Sequence, residues 1–385
     1  MVINPSVAEL KKSATLKITA LTKKLVAEGK DVVNFAAGEP DFDTPDFIKE
    51  AGKAAIDAGF TKYTPSAGLP DLRKAIASKL QSENNISLEG KNVIVTAGAK
   101  YALYVALFTL LKPGDEVIIP SPYWVSYPQM AKLCQAKPVF CETDEKDGFK
   151  LSGKKLQECI TSKSKVLILN YPSNPTGATY DRKELEEICR VVKDNNLYVV
   201  SDEIYETLLY DGRQHTSFAA LGGAFNNTIT VNGFSKTFSM TGWRLGYLAG
   251  PDEIIGETSK IIDHTTSCAC AVSQKAAIAA LGDNKWQGQV KDIFAARRDR
   301  LWKGLDPLEK ITPFKSQGTF YMFSDIRKTN LNSFDFSQRL LSEKLVSCIP
   351  ADAFGKDGFI RLSFSTSDEQ IDKGIERIKD FLSSL

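Results

Sequence analysis

Lys236 lies in the segment Asn232-Gly233-Phe234-Ser235-Lys236-Thr237-Phe238-Ser239-Met240-Thr241-Gly242-Trp243-Arg244, among Gly, Ser and aromatic residues rather than on a solvated helix face. A lysine buried near another cation gives up its proton more readily, leaving the free amine that attacks a carbonyl carbon. Arg244, eight residues on, offers a fixed charge suited to phosphate. Ser201-Asp202-Glu203-Ile204-Tyr205 follows the apolar run 197–200. An Asp at a buried strand end is costly unless it meets a cation or hydrogen-bond donors, and a protonated pyridine nitrogen would be such a partner. Helix capping by Ser201 or Asp202, with Tyr205 as plain packing, is the structural alternative. Asn170 to Gly177 is a turn-rich stretch whose X-Pro bonds are candidates for the cis isomer. Within it, Asn174 could donate to a ring hydroxyl or phenolate. Gly98-Ala99-Lys100 falls between a strand pattern and a helix pattern, where free N–H groups could hold a dianion. Taken singly, each of these has an ordinary reading: a surface lysine, a cap, a turn.

Other chemistries are poorly provided for. With only His215 and His264, a His-based zinc site or a Ser-His-Asp triad has little to work with, and no HExxH or GxSxG occurs. No GxGxxG or GxxxxGK[ST] follows a strand, so neither a dinucleotide nor an ATP phosphate site is indicated. Acid–base work must fall mainly to Lys, Tyr, Asp or Glu. Lys+Arg number 49 against 47 Asp+Glu, and a net charge of +2 gives no electrostatic case for nucleic acid or an anionic membrane. No apolar run nears the roughly 18 residues that span a bilayer, and Met1-Val2-Ile3-Asn4-Pro5 lacks a secretory pattern. A cytoplasmic location is expected. Seven cysteines, with Cys268-Ala269-Cys270 the only close pair, read as reduced and mostly buried thiols.

The elements that must position these residues alternate along the chain. Short β-branched runs at 93–96, 116–119, 166–169, 197–200, 228–231 and 245–249 are separated by amphipathic stretches such as 101–111 and 182–194. That alternation predicts an α/β fold with a largely parallel sheet covered on both faces. Ligands of such sheets lie at the carboxyl ends of the strands, which is where the polar segments fall. A charge-rich helical pattern at 285–305, the strand-like 320–323 and 358–364, and a helical stretch at 334–343 suit a smaller α+β domain. A length of 385 residues fits about two domains.

The segments Ser173-Asn174-Pro175-Thr176-Gly177, Ser201 to Tyr205 and Ser235-Lys236 through Arg244, in this order and at these intervals, resemble the class I aminotransferases. Ala37-Gly38-Glu39-Pro40-Asp41-Phe42, Lys62-Tyr63-Thr64-Pro65, Gly68 to Arg73, Ser121 to Tyr127 and Arg361-Leu362-Ser363 extend the resemblance over nearly the whole chain. It implies the fold-type I architecture of pyridoxal-phosphate-dependent transferases: a large domain with a mostly parallel seven-stranded sheet, plus a small α+β domain. The expected division is 45–284 for the large domain and 285–385 for the small one, with 1–44 packing on the latter.

The resemblance also implies roles. Lys236 would be joined to the cofactor aldehyde and then move the substrate's α-proton, with Asp202 paired to the pyridinium nitrogen. Tyr205 and Asn174 would bond the ring oxygen, and Trp124 would stack on the ring. Gly98, Ala99, Lys100, Ser235 and Arg244 would line the phosphate end, with Tyr63 reaching across from a second subunit of a homodimer. Arg361 would clamp the α-carboxylate, assisted by the Gly38 backbone. The subgroup resembled most is the bacterial aspartate aminotransferase type, sometimes able to use prephenate. Lys100, Ser13 and Thr15 would read the distal carboxylate there, giving aspartate, glutamate and their 2-oxo acids as substrates. Gly233 stands where relatives often carry another phosphate-binding hydroxyl. A pyridoxal-phosphate lyase is the competing enzyme class. A cofactor-sensing DNA-binding regulator is disfavoured, because the resemblance begins within the first 15 residues.

Overall fold

The computed structural model of the chain describes residues 5–8, 10, 14–283 and 285–385, with the side chains of residues 5, 6 and 14–17 outside that description. Its strands are β1 (Val33–Asn34), β2 (Val93–Thr96), β3 (Glu116–Ser121), β4 (Lys137–Glu142), β5 (Ser164–Asn170), β6 (Tyr198–Asp202), β7 (Thr228–Gly233) and β8 (Gly246–Ala249). Then come β9 (Thr312–Phe314), β10 (Tyr321–Asp325), β11 (Val346–Ser347), β12 (Ile349–Pro350) and β13 (Phe359–Ser363). Seven strands form one sheet in the order β2-β8-β7-β6-β5-β3-β4. Strands β3 to β7 run parallel, and β8 lies antiparallel to both of its neighbours.

Alternation along the strands explains why this sheet is buried twice. Val117, Ile119, Val166, Ile168 and Val200 join Leu103, Ala106 and Ile255 in one core. Ile118, Leu167, Leu169 and Val199 meet Leu185, Ile188 and Val192 of the helix Arg182–Asp194 on the opposite face. With both faces covered, the strands read as unbroken apolar runs. The helix is set by its own sequence: Asp181 and Glu184 exchange side-chain-to-backbone bonds at its start, a capping box, and buried positions recur at the helical period.

Within the seven-stranded sheet, β4 is the strand the sequence pattern hides. Pro138 reads as a break, but β4 is an edge strand, where the missing N–H of proline does no harm. The expectation of seven reduced thiols is corrected here: Cys141 on β4 and Cys159 at the end of the helix Gly153–Cys159 form a disulfide, with Cα atoms 6.1 Å apart. The packing of that helix against the sheet edge brings together two cysteines 18 residues apart.

A second, antiparallel sheet has the order β12-β13-β10-β9. It shares a core with Phe294, Leu301, Leu340, Ile371, Ile378 and Phe381 from the long C-terminal helices. β1 pairs in parallel with β11, and Phe35 bonds to Ser347 and Ser363, so residues 33–35 are stitched to this layer.

Candidate active site

The carboxyl ends of β5, β6 and β7 open into a cleft of about 590 Å³. Gly38, Ala99, Lys100, Trp124, Asn174, Asp202, Tyr205, Ser235, Lys236, Arg244 and Arg361 all line it. Residues separated by more than 300 positions therefore share one cavity.

Asp202 is the last residue of β6 and is almost wholly buried. Tyr127 Oη donates to its Oδ2 at 2.6 Å, and the Ile204 N–H donates to Oδ1 at 3.3 Å. Burial pushes its pKa up to about 6, against the pull of these bonds and of Lys236. The carboxylate is thus held at a strand end, and among the described residues no cation is in direct contact with it.

Lys236 follows β7 in the loop that begins at Phe234. It is half-buried along the cleft wall. Its Nζ donates to the Gly38 carbonyl oxygen at 2.6 Å and lies 5.7 Å from the Phe320 ring centre. Burial lowers its pKa to about 8; Arg361, Arg244 and Lys100 add to the fall, while Glu39 opposes it. A free amine is therefore within reach near neutral pH.

At one end of the cleft the helix Ala99–Leu110 starts from Gly98, whose φ is +88°. A Cβ at Gly98 would stand 2.5 Å from Arg244 Nη2 and push this exposed guanidinium off the helix start, while the positive φ itself favours glycine. The first N–H groups of a helix have no carbonyl partner in the preceding turn, and Arg244 sits beside them. Arg244 Nη1 donates to the Thr241 carbonyl at 2.8 Å, and the side chain is otherwise exposed. Gly246 on β8 is equally constrained, since a Cβ there would collide with Ala99 N. The unusual Gly233 has the same cause: its Cβ would lie 3.0 Å from Gly246 Cα and 3.1 Å from the Leu245 carbonyl oxygen.

At the other end Arg361, on β13, is 4% exposed. Its Nη1 donates to Asn174 Oδ1 at 2.9 Å, its guanidinium packs 4.1 Å from the Tyr321 ring centre, and its Nε has no partner. A buried donor left open in this way is prepared for an anion. Tyr205 and Tyr321 share a hydroxyl–hydroxyl bond of 3.1 Å. Asn174 precedes a cis proline, as do Ser121 and Tyr171, so the turn-rich segment does carry the cis isomer.

Lys100 Nζ lies 4.9 Å from the Trp124 ring centre, and its pKa is lowered by partial burial and by Arg244. Tyr63 is not among the cleft residues and is 88% exposed. Ser13 lies outside the described residues, as does the side chain of Thr15. Three contributors were given no role from sequence. Tyr127 sits three residues after Trp124 and holds Asp202. Tyr321 braces both Tyr205 and Arg361. Asn170 Oδ1 accepts from Asn174 N at 2.8 Å, fixing the Asn174 turn. All three lie in segments that stand out in the sequence (121–127, 170–177 and 320–323), but nothing in those segments points to their partners.

The cleft thus combines an amine of lowered pKa, a buried carboxylate, a glycine-and-arginine cradle and a buried, half-satisfied arginine. Such a set suits covalent chemistry on a carbonyl, with anions held at both ends. Comparison with known proteins agrees. The family model "Aminotransferase class I and II" matches residues 30–378. An "Aspartate aminotransferase" of Bacillus sp. (strain YM-2) is 42% identical, covering 98% of both chains. A "Bifunctional aspartate aminotransferase and glutamate/aspartate-prephenate aminotransferase" of Petunia hybrida is 45% identical over 99% of this chain and 82% of its own length. Among solved structures, the aspartate aminotransferase from Thermus thermophilus with maleate superposes with a TM-score of 0.95 at 38% identity, covering 99% of both chains.

Proposed function

We propose, from the premise that the chain belongs to the class I and II aminotransferase family, that it runs a ping-pong transamination. An acidic amino acid, aspartate or glutamate, leaves its amino group on the enzyme, and 2-oxoglutarate or oxaloacetate carries it away. The observation that carries this reading is the Lys236 amine, lowered to about 8, in the same cleft as the buried Asp202 and Arg361.

The residues present fit pyridoxal 5′-phosphate. The cradle at Gly98, Ala99, Lys100, Ser235 and Arg244 suits a phosphate dianion, and Asp202 is a buried acid in need of a cationic partner. Tyr205 and Asn174 offer hydrogen bonds to a ring oxygen, and Trp124 a stacking face. When bound, the cofactor supplies an aldehyde that takes up amines and a ring that draws electrons from the bond to be broken.

The protein's own share of the chemistry is to bind, orient and move protons. Arg361 clamps the substrate α-carboxylate through its free Nε and an Nη, filling the vacancy in its donor set. That clamp, with Gly38, aims the substrate Cα toward Lys236. The Nζ of Lys236 would take the α-proton and deliver it across the substrate nitrogen, two bonds from where it left, a role that needs an amine titrating near working pH. Asp202, ionised against a ring cation, keeps that ring electron-poor. Lys100, with Ser13 and Thr15, attracts the distal carboxylate; a single ammonium does so with less geometric selectivity than a bidentate arginine. The same loose recognition admits prephenate as a second acceptor.

We further assign the enzyme to a cytoplasmic homodimer in which the exposed Tyr63 of each subunit completes the partner's phosphate end. The division 45–284 and 285–385, with 1–44 joined to the latter, describes its domains. Borohydride reduction of the holoenzyme followed by peptide mapping tests the core of the reading: the label should fall on Lys236. Lys236→Ala should lose it, together with at least 10³-fold in turnover. Label on a different amine would overturn the assignment. A panel of amino donors and oxo acids, prephenate included, ranks the substrates by kcat/KM.

A further inference from the structure

The segment Ser201 to Thr207 has two sides. Asp202 and Tyr205 face the cleft, while Glu203 and Glu206, each the next residue along, point into the protein behind it. Glu203 accepts from Ser201 Oγ at 2.7 Å and from Ser217 Oγ at 2.5 Å, and lies 2.8 Å from His215 Nε2. Glu206 accepts from Lys79 Nζ, from Asn84 Nδ2 at 2.5 Å and from Asn232 Nδ2 at 2.7 Å. Asn84 also donates to Ser217 at 2.7 Å, so the two carboxylates belong to one network. Glu203, Glu206 and His215 approach one another closely enough to suggest a metal cage. Their oxygens are already taken by amine, amide and hydroxyl donors, and the cluster reads as a hydrogen-bonded brace.

Glu206 is the junction of that brace. Asn232 lies four residues before Lys236, and its Oδ1 in turn accepts the Gly233 N–H at 2.7 Å, fixing the end of β7. A second tie joins the same two loops at Thr207 and Thr237, whose hydroxyls are 2.9 Å apart. The loop bearing Tyr205 and the loop bearing Lys236 are therefore pinned together on either side of Lys236. Burial opposes charge on Glu206, but Lys79, His215 and the bonds from Lys79 and Asn84 outweigh it and hold its pKa below the usual carboxylate value. The junction is a charged acceptor, stronger than a neutral one.

We propose that Glu206 is a positioning residue that sets Lys236 relative to Asp202 and Tyr205, acting through Asn232 and backed by Lys79. The proposal rests on the transamination reading above and adds a residue to it. Its physical basis is that a catalytic amine displaced by about 1 Å can lose on the order of 10²-fold in rate. Neither Glu206 nor Asn232 lines the cleft, so the effect must pass through the relative placement of the two loops that carry Tyr205 and Lys236.

The test compares Glu206→Gln, Glu206→Ala and Asn232→Ala with native protein. In full-length protein freed of cofactor, the rate at which an acylating reagent labels Lys236 is followed against pH by mass spectrometry. Native labelling should rise with a midpoint near about 8, set by the burial of Lys236 and by Arg361, Arg244, Lys100 and Glu39. In the variants that midpoint should move toward the ordinary lysine value, because the amine leaves that surrounding. In holoenzyme, kcat should fall roughly tenfold to a hundredfold, while KM for the amino donor changes less than about threefold, since Arg361 is untouched. Glu206→Gln, which keeps an acceptor for Asn232, should lose less than Glu206→Ala. Folded variants with native labelling profiles and native kcat would overturn the proposal, as would a loss confined to thermal stability. If both Glu206 variants fail to fold, Asn232→Ala decides by the same readings. Failure of native protein itself to transaminate would instead count against the functional reading.

Discussion

Arg361 and Arg244 close the two ends of one cleft in opposite states. Arg361 is buried on β13, stacked on Tyr321, with one donor group left unpaired. Arg244 is exposed, bonds the nearby Thr241 carbonyl, and lies in the space left by the absence of a side chain at Gly98. A buried guanidinium with an open valence is uncomfortable until an anion arrives, so an incoming carboxylate gains the full strength of a desolvated pair. An exposed one is already solvated, gains less per bond, and must rely on the helix start beside it. The difference teaches how one site can treat two anions unequally: on the proposed reading, the buried guanidinium would clamp the substrate and the exposed one would cradle a group that stays.

The largest test of that contrast is Arg361→Lys. Losing the planar fork from a buried site should lower kcat/KM for the amino donor by about 10²–10³-fold, with cofactor retention unchanged. Arg244→Lys should do the reverse on a smaller scale, weakening cofactor affinity by about tenfold with little change in donor KM. Equal losses in the two variants, measured by steady-state kinetics and cofactor titration, would break the comparison.

Asp202 sharpens it, because burial should impose its cost on an anion as well. The folded pKa of about 6 lies above the ordinary 3.8, so the folded state holds the proton more tightly across that window. Stability of cofactor-free protein should therefore fall as pH rises from about 4 to about 6, by on the order of 2–3 kcal/mol. Asp202→Asn, the neutral isostere, should be more stable than native at pH 7 by that amount and equal to it below about pH 4. Urea unfolding at the two pH values measures this.

Gly98→Ala addresses the open end. The added methyl faces both a φ of +88° and the Arg244 guanidinium, so cofactor affinity should fall by roughly 1–2 kcal/mol. Tyr127→Phe is the mildest change. Loss of the 2.6 Å bond to Asp202 should raise the Asp202 pKa further and lower turnover by about 1 kcal/mol or less in barrier terms. A shift of the acid limb of the rate profile to higher pH, with its slope unchanged, would mark it.

Much of this was legible in the chain itself. The helices at 182–194 and 285–305 are read correctly from periodicity, and β2 from four β-branched and apolar residues at 93–96. Periodicity and capping are local, so they survive without knowledge of neighbours. Strand β4 was hidden because an edge position, not the sequence, makes Pro138 harmless. The antiparallel setting of β8 and the joining of Cys141 to Cys159 depend on what packs alongside.

The site divides in the same way. The residue types, their order and the strand-end loops that carry them were settled by sequence: an unusual lysine, an aspartate after an apolar strand, a glycine at a helix start. What only the tertiary structure decided is the condition of those groups. Burial raised Asp202 and lowered Lys236, close approach to Gly246 accounts for Gly233, and Tyr127 and Tyr321 acquired partners no spacing announces. The reason is physical: identity is written residue by residue, but desolvation and hydrogen-bond geometry depend on which distant segments meet.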